Sequence, residues 1–229
     1  MVLTQPDPPY VPLHAVLLPA ENSRWIVTIA DHARTVWIES WNEFLEASRL
    51  LITPTVWEAL RSAEPPDVIR RCRFPASIWK HFERLPRLQR GVLPVADGLC
   101  RFNPTHGQGM SSAALQARLL RDVLDLAAAQ RDPITAVQAG FMAEVASVLE
   151  TPWNMSTSAD LAFPATRGER PENFIEARHF EAALFRAAVT DPVVHRALIE
   201  VAQLLQPQSR LQEPQIMRRI EAASTKVAA

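Results

Sequence analysis

One stretch of this chain holds residue types at a spacing that chemistry can use. It reads Leu93-Pro94-Val95-Ala96-Asp97-Gly98-Leu99-Cys100-Arg101-Phe102 and continues Asn103-Pro104-Thr105-His106-Gly107-Gln108-Gly109-Met110. The residues read as a short apolar strand over 91–95 with a carboxylate, Asp97, at its C-terminal end. A proline-containing loop follows. A helix starts where Gly107 and Gly109 bracket the chain and runs to about Gln130. Half of the six glycines of the chain fall between positions 98 and 109, and glycine lets a backbone approach a neighbour closely. A helix N-terminus offers unpaired N–H groups and the positive end of a dipole, which suits an anion. Asp97 is placed to accept hydrogen bonds from hydroxyls. Together these features suit a polyhydroxylated, partly anionic ligand. Strand–loop–helix turns with glycines are also common in proteins where they bind nothing, and the residues alone leave both readings open.

Other chemistries find less support. There is no G-x-G-x-x-G and no G-x-x-x-x-G-K, so the chain has no self-contained nucleotide-binding unit of the usual kinds. Gly109-Met110-Ser111-Ser112-Ala113 imitates a nucleophile elbow only in part, because alanine stands where the second glycine is needed. No H-E-x-x-H occurs, and His81-Phe82-Glu83 and His179-Phe180-Glu181 read as helix-surface residues, so no metal site is expected. His106 alone among six histidines neighbours the glycines. No catalytic side chain can be assigned. Cys72 and Cys100 are too few for a disulfide framework or a four-cysteine zinc site. The net charge is -1 over 229 residues, which removes the electrostatic basis for broad nucleic-acid binding. Residues 61–101 carry nine Lys/Arg against four Asp/Glu, which reads as a solvated face. With 22 Arg and 2 Lys, the arginines read as coding bias.

The elements that must position this stretch follow from periodicity. His14–Leu18 and Trp25–Ile29 are β-prone runs with turn chemistry at Glu21-Asn22-Ser23, a hairpin that needs further strands to be stable. Trp41, Phe44, Leu45 and Leu50 recur at helical spacing. Thr53-Pro54 reads as the cap and first turn of a helix through Ala63, and Val68–Phe74 as one more strand. Beyond Gly109 the apolar residues keep helical spacing for a hundred residues. Asp132-Pro133, Thr151-Pro152, Arg170-Pro171 and Asp191-Pro192 each read as a helix start, which gives five or six helices. The alanine-rich C-terminus reads as a frayed end. Apolar residues make up 48% of the chain, enough for a sizeable core. Glycine is scarce, 6 where about 16 is average, and proline abundant, 19 where roughly 11 is usual. The N-terminus is proline-broken, unlike a signal peptide, and no segment is apolar enough to span a membrane. A cytoplasmic chain is expected.

The segment also resembles the second flavin-binding motif of FAD-dependent aromatic-hydroxylase-like (class A flavoprotein) monooxygenases. That motif is a strand, Gly-Asp-Ala, then a loop ending N-P-x-x-G-Q-G-M and a long helix. Asp97 matches its Asp, and Asn103–Met110 matches its loop without a gap. Weaker likenesses extend outward. Leu18-Pro19-x-Glu21-x-x-x-Trp25 resembles a hairpin of the family's substrate domain, and Arg73–Ser77 with His81–Leu85 the stretch before the motif. Trp153, Ala159-Asp160-Leu161, Phe163-Pro164 and Asp191–Val194 resemble its C-terminal helical region.

The resemblance implies that Asp97 contacts the ribityl or pyrophosphate region of FAD and that Pro104 lies by the isoalloxazine ring. It implies that the backbone at Gly107, Gly109 and Met110 faces the pyrimidine edge. Two departures stand out. This chain has Ala96 and Gly98 where the family has Gly and Ala, and a methyl group at 96 would obstruct a close approach of FAD there. The family's N-terminal Rossmann part, which holds the ADP half of FAD, has no counterpart. The expected fold is therefore α+β. A substrate-domain remnant with a partial antiparallel sheet spans 1–90, a strand-loop-helix flavin-contacting unit 91–130, and a helical C-terminal region 131–229. The implied function is the C-terminal portion of an FAD-dependent oxidoreductase or monooxygenase, inactive alone. NAD(P)H is the reductant and a small organic molecule the substrate of the complete enzyme, and a separately encoded N-terminal half is a candidate partner. The competing expectation is a non-catalytic truncated remnant, or a helical interaction protein that binds no flavin.

Overall fold

The computed structural model describes residues 1–33 and 35–227. The last two residues, on which the reading of a frayed end partly falls, lie outside them. The chain is mixed, about 52% helical, with small antiparallel sheets and a helical C-terminal region. It divides into two compact units, Met1–Phe74 with Ala159–Glu169, and Pro75–Ser158 with Arg170–Ala229.

The first unit is built on the expected hairpin. Strands β1 (Val2–Leu3), β2 (Leu13–Ala20) and β3 (Arg24–Asp31) form an antiparallel sheet in that order. The β2–β3 register runs from Leu13 opposite Asp31 to Ala20 opposite Arg24. Asn22 and Ser23 turn the chain with positive φ, 60° and 56°, a conformation that Asn tolerates better than most residues. Leu13, Ala15 and Leu17 alternate onto one face of β2 and are buried with Leu51, Val56 and Leu60. Helices α1 (Trp41–Arg49) and α2 (Thr55–Leu60) supply the covering layer, with Trp41, Phe44 and Leu45 half-buried against that core. A capping box starts α1. The Glu43 N–H donates to Ser40 Oγ, and the Ser40 N–H donates to Glu43 Oε2 at 2.8 Å. Helix α2 begins one residue later than the Thr53-Pro54 signal places it and stops at Leu60, not Ala63.

The segment 159–169 closes this unit. Phe163 stacks on His32 at 4.6 Å between ring centroids, and the His14 ring lies 5.1 Å from His32. The strand expected over Val68–Phe74 does not form; residues 68–77 are irregular and mostly exposed. Glu64-Pro65-Pro66 removes two backbone donors just before it. Its arginines turn outward, Arg71 pairing with Glu39 at 3.2 Å and lying over Trp37 at 4.0 Å.

The second unit is helical around a two-residue ladder, β4 (Ile78–Trp79) with β5 (Cys100–Arg101). Among the described residues five α-helices follow, within the expected five or six, though not at every expected proline: α3 (Gln108–Ala127), α4 (Pro133–Leu161), α5 (Phe174–Thr190), α6 (Pro192–Ala202) and α7 (Pro214–Val227). Phe141, Val145 and Leu149, one turn apart on α4, are fully buried against Leu99, Cys100 and Phe102. Gly140 lets α3 approach α4, since a Cβ there would lie 2.9 Å from Val123 Cγ1. A second core joins Leu184, Ala187, Val194, Ala197, Val201, Ile216 and Ile220 of α5–α7.

Thr151-Pro152 is no helix start. Pro152 is buried inside α4, where its missing N–H deprives the Val148 carbonyl of its ordinary partner. Burial of Leu149 and Ser156 on the same face offsets that loss and carries the helix through. Arg170-Pro171 likewise precedes its helix by several residues, α5 opening only at Phe174.

Candidate functional site

The flavin-like segment lies wholly in the second unit. The strand expected over 91–95 has no ladder partner. Instead Gln138 of α4 holds residues 89–92 as a loop. Its Nε2 donates to the Gln89 and Val92 carbonyls at 2.8 and 2.7 Å, and its Oε1 accepts from the Gly91 N–H at 3.3 Å. Asp97 therefore does not end a strand. It sits exposed in a 3₁₀ turn, Ala96–Gly98, and the two-residue strand β5 follows it. Ala96 makes the turn with φ 49°, a left-handed conformation that glycine adopts freely and alanine only at a cost.

A buried glutamine fastens this turn to α3. The Ala96 N–H donates to Gln116 Oε1 at 2.8 Å, and Gln116 Nε2 donates to Ser112 Oγ at 3.2 Å. Gln116 is 1% exposed and Ser112 fully buried. Sequence reasoning passed over this pair. Its signal was a run of polar residues four apart, Gln108, Ser112 and Gln116, on a helix face that turns apolar only at Val123. From the turn the chain enters the core at once. Leu99, Cys100 and Phe102 are buried, and burial together with the charges of Glu83 and Asp97 pushes the Cys100 thiol up to about 12. Cys100 is neutral at ordinary pH.

The loop then closes on itself. The Asn103 N–H donates to Ser77 Oγ at 3.1 Å, and Asn103 Oδ1 accepts from the Thr105 N–H at 3.2 Å, which caps a second 3₁₀ turn, Pro104–His106. Gly107 follows at φ 68°, left-handed, and α3 starts behind it with no side-chain cap. The first N–H groups of a helix have no partner within it, and a glycine cap supplies no oxygen for them. A Cβ built at Gly98, Gly107 or Gly109 meets no atom within 4 Å. Gln108 is the anchor of the helix start; its Nε2 donates to the Ala202 carbonyl at the end of α6, 3.0 Å away. Met110 is 87% exposed. The structure thus brings Pro104, Gly107, Gly109 and Met110 together at one uncapped helix end. Asp97 reaches the same helix through its turn.

Over 179 residues, 76% of its length, the chain is 30% identical to Protein Rv3254 of Mycobacterium tuberculosis. The match covers 36% of that protein, so the chain spans about a third of the length of the curated relative it matches. No family model matches the chain.

His81 and Glu83, read from the sequence as helix-surface residues, are not. His81 has φ 46° and leads into a 3₁₀ turn, Phe82–Arg84, and its Nδ1 lies 2.6 Å from Glu83 Oε1. Among the described residues, no group of three or more His, Cys, Asp and Glu side chains is placed to hold a metal ion. Nor is any helix among them long and apolar enough to cross a membrane.

Proposed function

We propose that this chain is the C-terminal portion of an FAD-dependent oxidoreductase of the monooxygenase kind and contributes the contacts to the ribityl chain and isoalloxazine ring. The observation that carries the reading is the fold of Asn103–Met110: a self-capped 3₁₀ turn, a left-handed glycine, and a helix start without a side-chain cap. An uncapped helix start leaves its first N–H groups without a partner inside the helix and suits negative charge. The turn at 96 supports the same reading, because the family's glycine stands where φ is 49° here. Asp97, exposed beside that turn, is free to accept hydrogen bonds from ribityl hydroxyls.

In this reading Asp97 faces the ribityl or pyrophosphate region, Pro104 lies by the ring, and the backbone at Gly107, Gly109 and Met110 meets the pyrimidine edge. Bound FAD supplies the redox chemistry, with NAD(P)H as reductant in a complete enzyme. The chain's own part is to hold and orient the ring and to stabilise negative charge on it. A cytoplasmic setting, a small organic substrate and a separately encoded dinucleotide-binding half complete the proposal.

An FAD titration of the purified chain, followed by visible absorption and repeated with a dinucleotide-binding half co-expressed, tests it. Saturable binding of at least micromolar affinity, about 8 kcal/mol, is expected with both halves present. NADPH oxidation is expected only with both. Absence of flavin from the joined halves would overturn the reading, and NADPH oxidation by the chain alone would overturn its inactivity.

A further inference from the structure

We propose that the groove between α3, α4 and the turn after α6 binds a small organic anion, a carboxylate on an apolar body that also carries one N–H. The site lies about two turns along α3 from Gly107 and does not rest on the flavin reading. Its cavity, about 330 Å³, is lined by Leu115, Arg118 and Leu119 of α3, by Val148 of α4, and by Leu204 and Leu205. All of them belong to the second unit.

Arg118 supplies the charge. Among the described residues it makes no hydrogen bond or ion pair. Asp122, one turn on and also bordering the cavity, is its natural helical partner. Arg121 takes that carboxylate instead, donating to Oδ1 from Nε and Nη2 at 3.0 and 2.7 Å. The Arg118 guanidinium, protonated at any working pH, is left for an anion, and its planar fork matches a carboxylate. The wall formed by α4 offers an acceptor. Pro152 has no N–H, so the Val148 carbonyl lacks the donor that a helix interior ordinarily places four residues on. A ligand N–H answers that carbonyl.

The third wall is held in a conformation that its residue resists. Helix α6 ends in a turn of the kind glycine usually makes. The Leu204 N–H donates to the Val201 carbonyl at 2.9 Å, and the Leu205 N–H to the Glu200 carbonyl at 2.8 Å. Leucine stands at the left-handed position, with φ 57°. That is a strained choice for a bulky side chain, and such strain gathers at functional positions. Glycine would make the same turn and leave the cavity without the Leu204 side chain. With Leu115, Leu119 and the largely exposed Leu205, that side chain makes the lining apolar. The ligand class follows from these groups together: an apolar body for the leucines, a carboxylate for Arg118 and an N–H for the Val148 carbonyl.

The test is a titration of the full chain, read from the methyl ¹³C–¹H signals of Leu115, Leu119, Val148 and Leu204. Indole-3-acetate, which holds all three features, is expected to shift them saturably with a sub-millimolar dissociation constant. Indole-3-acetamide lacks the charge and 1-methylindole-3-acetate lacks the N–H. Each is expected to bind about tenfold more weakly, equivalent to about 1.4 kcal/mol. Arg118→Gln, at an exposed position, is expected to take the same factor from the acid and nothing from the amide. Pro152→Ala returns an N–H to the helix and is expected to weaken indole-3-acetate but not its N-methyl derivative. No saturable shift, or shifts centred on other methyl groups, overturns the site. Equal affinity for the acid and the amide overturns the role of Arg118. Equal affinity for the acid and its N-methyl derivative, or a loss common to both in Pro152→Ala, overturns the role of the Val148 carbonyl.

Discussion

Two helix starts in the second unit solve one problem in opposite ways. Helix α6 opens at Asp191-Pro192. Asp191 Oδ1 accepts from the N–H groups of Val193 and Val194 at 2.9 and 3.3 Å, and Arg219 of α7 donates to Oδ2 at 2.8 Å. Proline in the first turn removes one further donor. Helix α3 opens at Gly107 with no side-chain oxygen, and Gln108 fastens it from the side instead. The capped start uses its donors within the fold, whereas the uncapped start has no side-chain acceptor for them and is held by Gln108 alone from the side. The difference separates a terminus tied down by its own cap from one held only from the side, and it can be attacked from several directions.

The largest effect is expected at the glutamine that fastens the turn at 96 to α3. Gln116→Ala removes both the acceptor of the Ala96 N–H and the donor to Ser112 within a buried site. Stranding buried polar groups costs about 1–3 kcal/mol apiece. A fall in stability of about 2 kcal/mol by denaturant unfolding is expected, together with weaker flavin binding if the turn at 96 positions Asp97. Stability unchanged within error would mean that the glutamine does not hold the turn. Gly107→Ala comes next. At φ 68° a Cβ costs about 1–2 kcal/mol, although no atom stands within 4 Å of it. The loss would therefore come from the backbone alone, and a loss of flavin binding larger than the loss of stability would mark the helix start as the contact.

The capped end gives a pH signature instead. The Arg219 hydrogen bond, against a desolvation penalty, and the two backbone N–H groups hold the Asp191 carboxyl below its ordinary 3.8. A carboxyl lowered on folding contributes stability above its unfolded value and loses it as pH falls through the folded one. Asp191→Asn should therefore lower the thermal midpoint at neutral pH, and the gap from wild type should close as the pH drops below 3.8. A gap independent of pH would show that the cap works through shape alone. The uncapped end has no carboxylate in its cap and should show no such dependence after Gly107→Ala.

Some of this was legible in the residues. The hairpin was, because β-prone runs flank a turn sequence whose Asn22 tolerates positive φ. Asp191-Pro192 and Asp132-Pro133 were, because a cap and a first-turn proline are local chemistry. Thr151-Pro152 misled for the same reason. The dipeptide is identical in kind, but burial of Leu149, Pro152 and Ser156 on one face of α4 overrides the local break. The place of Asp97 was missed because Gln138, more than forty residues away, takes the backbone groups of 89–92 that a strand would need. His81 and Glu83 were read as surface residues because nothing local announces a left-handed histidine packed on Trp79.

The smallest effect is the one that bears most directly on position 96. Ala96→Gly relieves a left-handed alanine, worth about 1–2 kcal/mol, and loosens the unfolded chain, which costs about 0.4–1 kcal/mol. The first term exceeds the second, so a gain of roughly 0.5–1 kcal/mol is expected from denaturant unfolding. The same substitution removes the methyl group that separates this turn from the glycine of the flavin motif. A variant that is both more stable and tighter for FAD would mean that alanine hinders the fold and the ligand at one point. A variant that is more stable with unchanged affinity would place the flavin at the helix end alone and leave the turn as its support. A less stable variant would show that the Gln116 hydrogen bond already holds the backbone of residue 96 without strain.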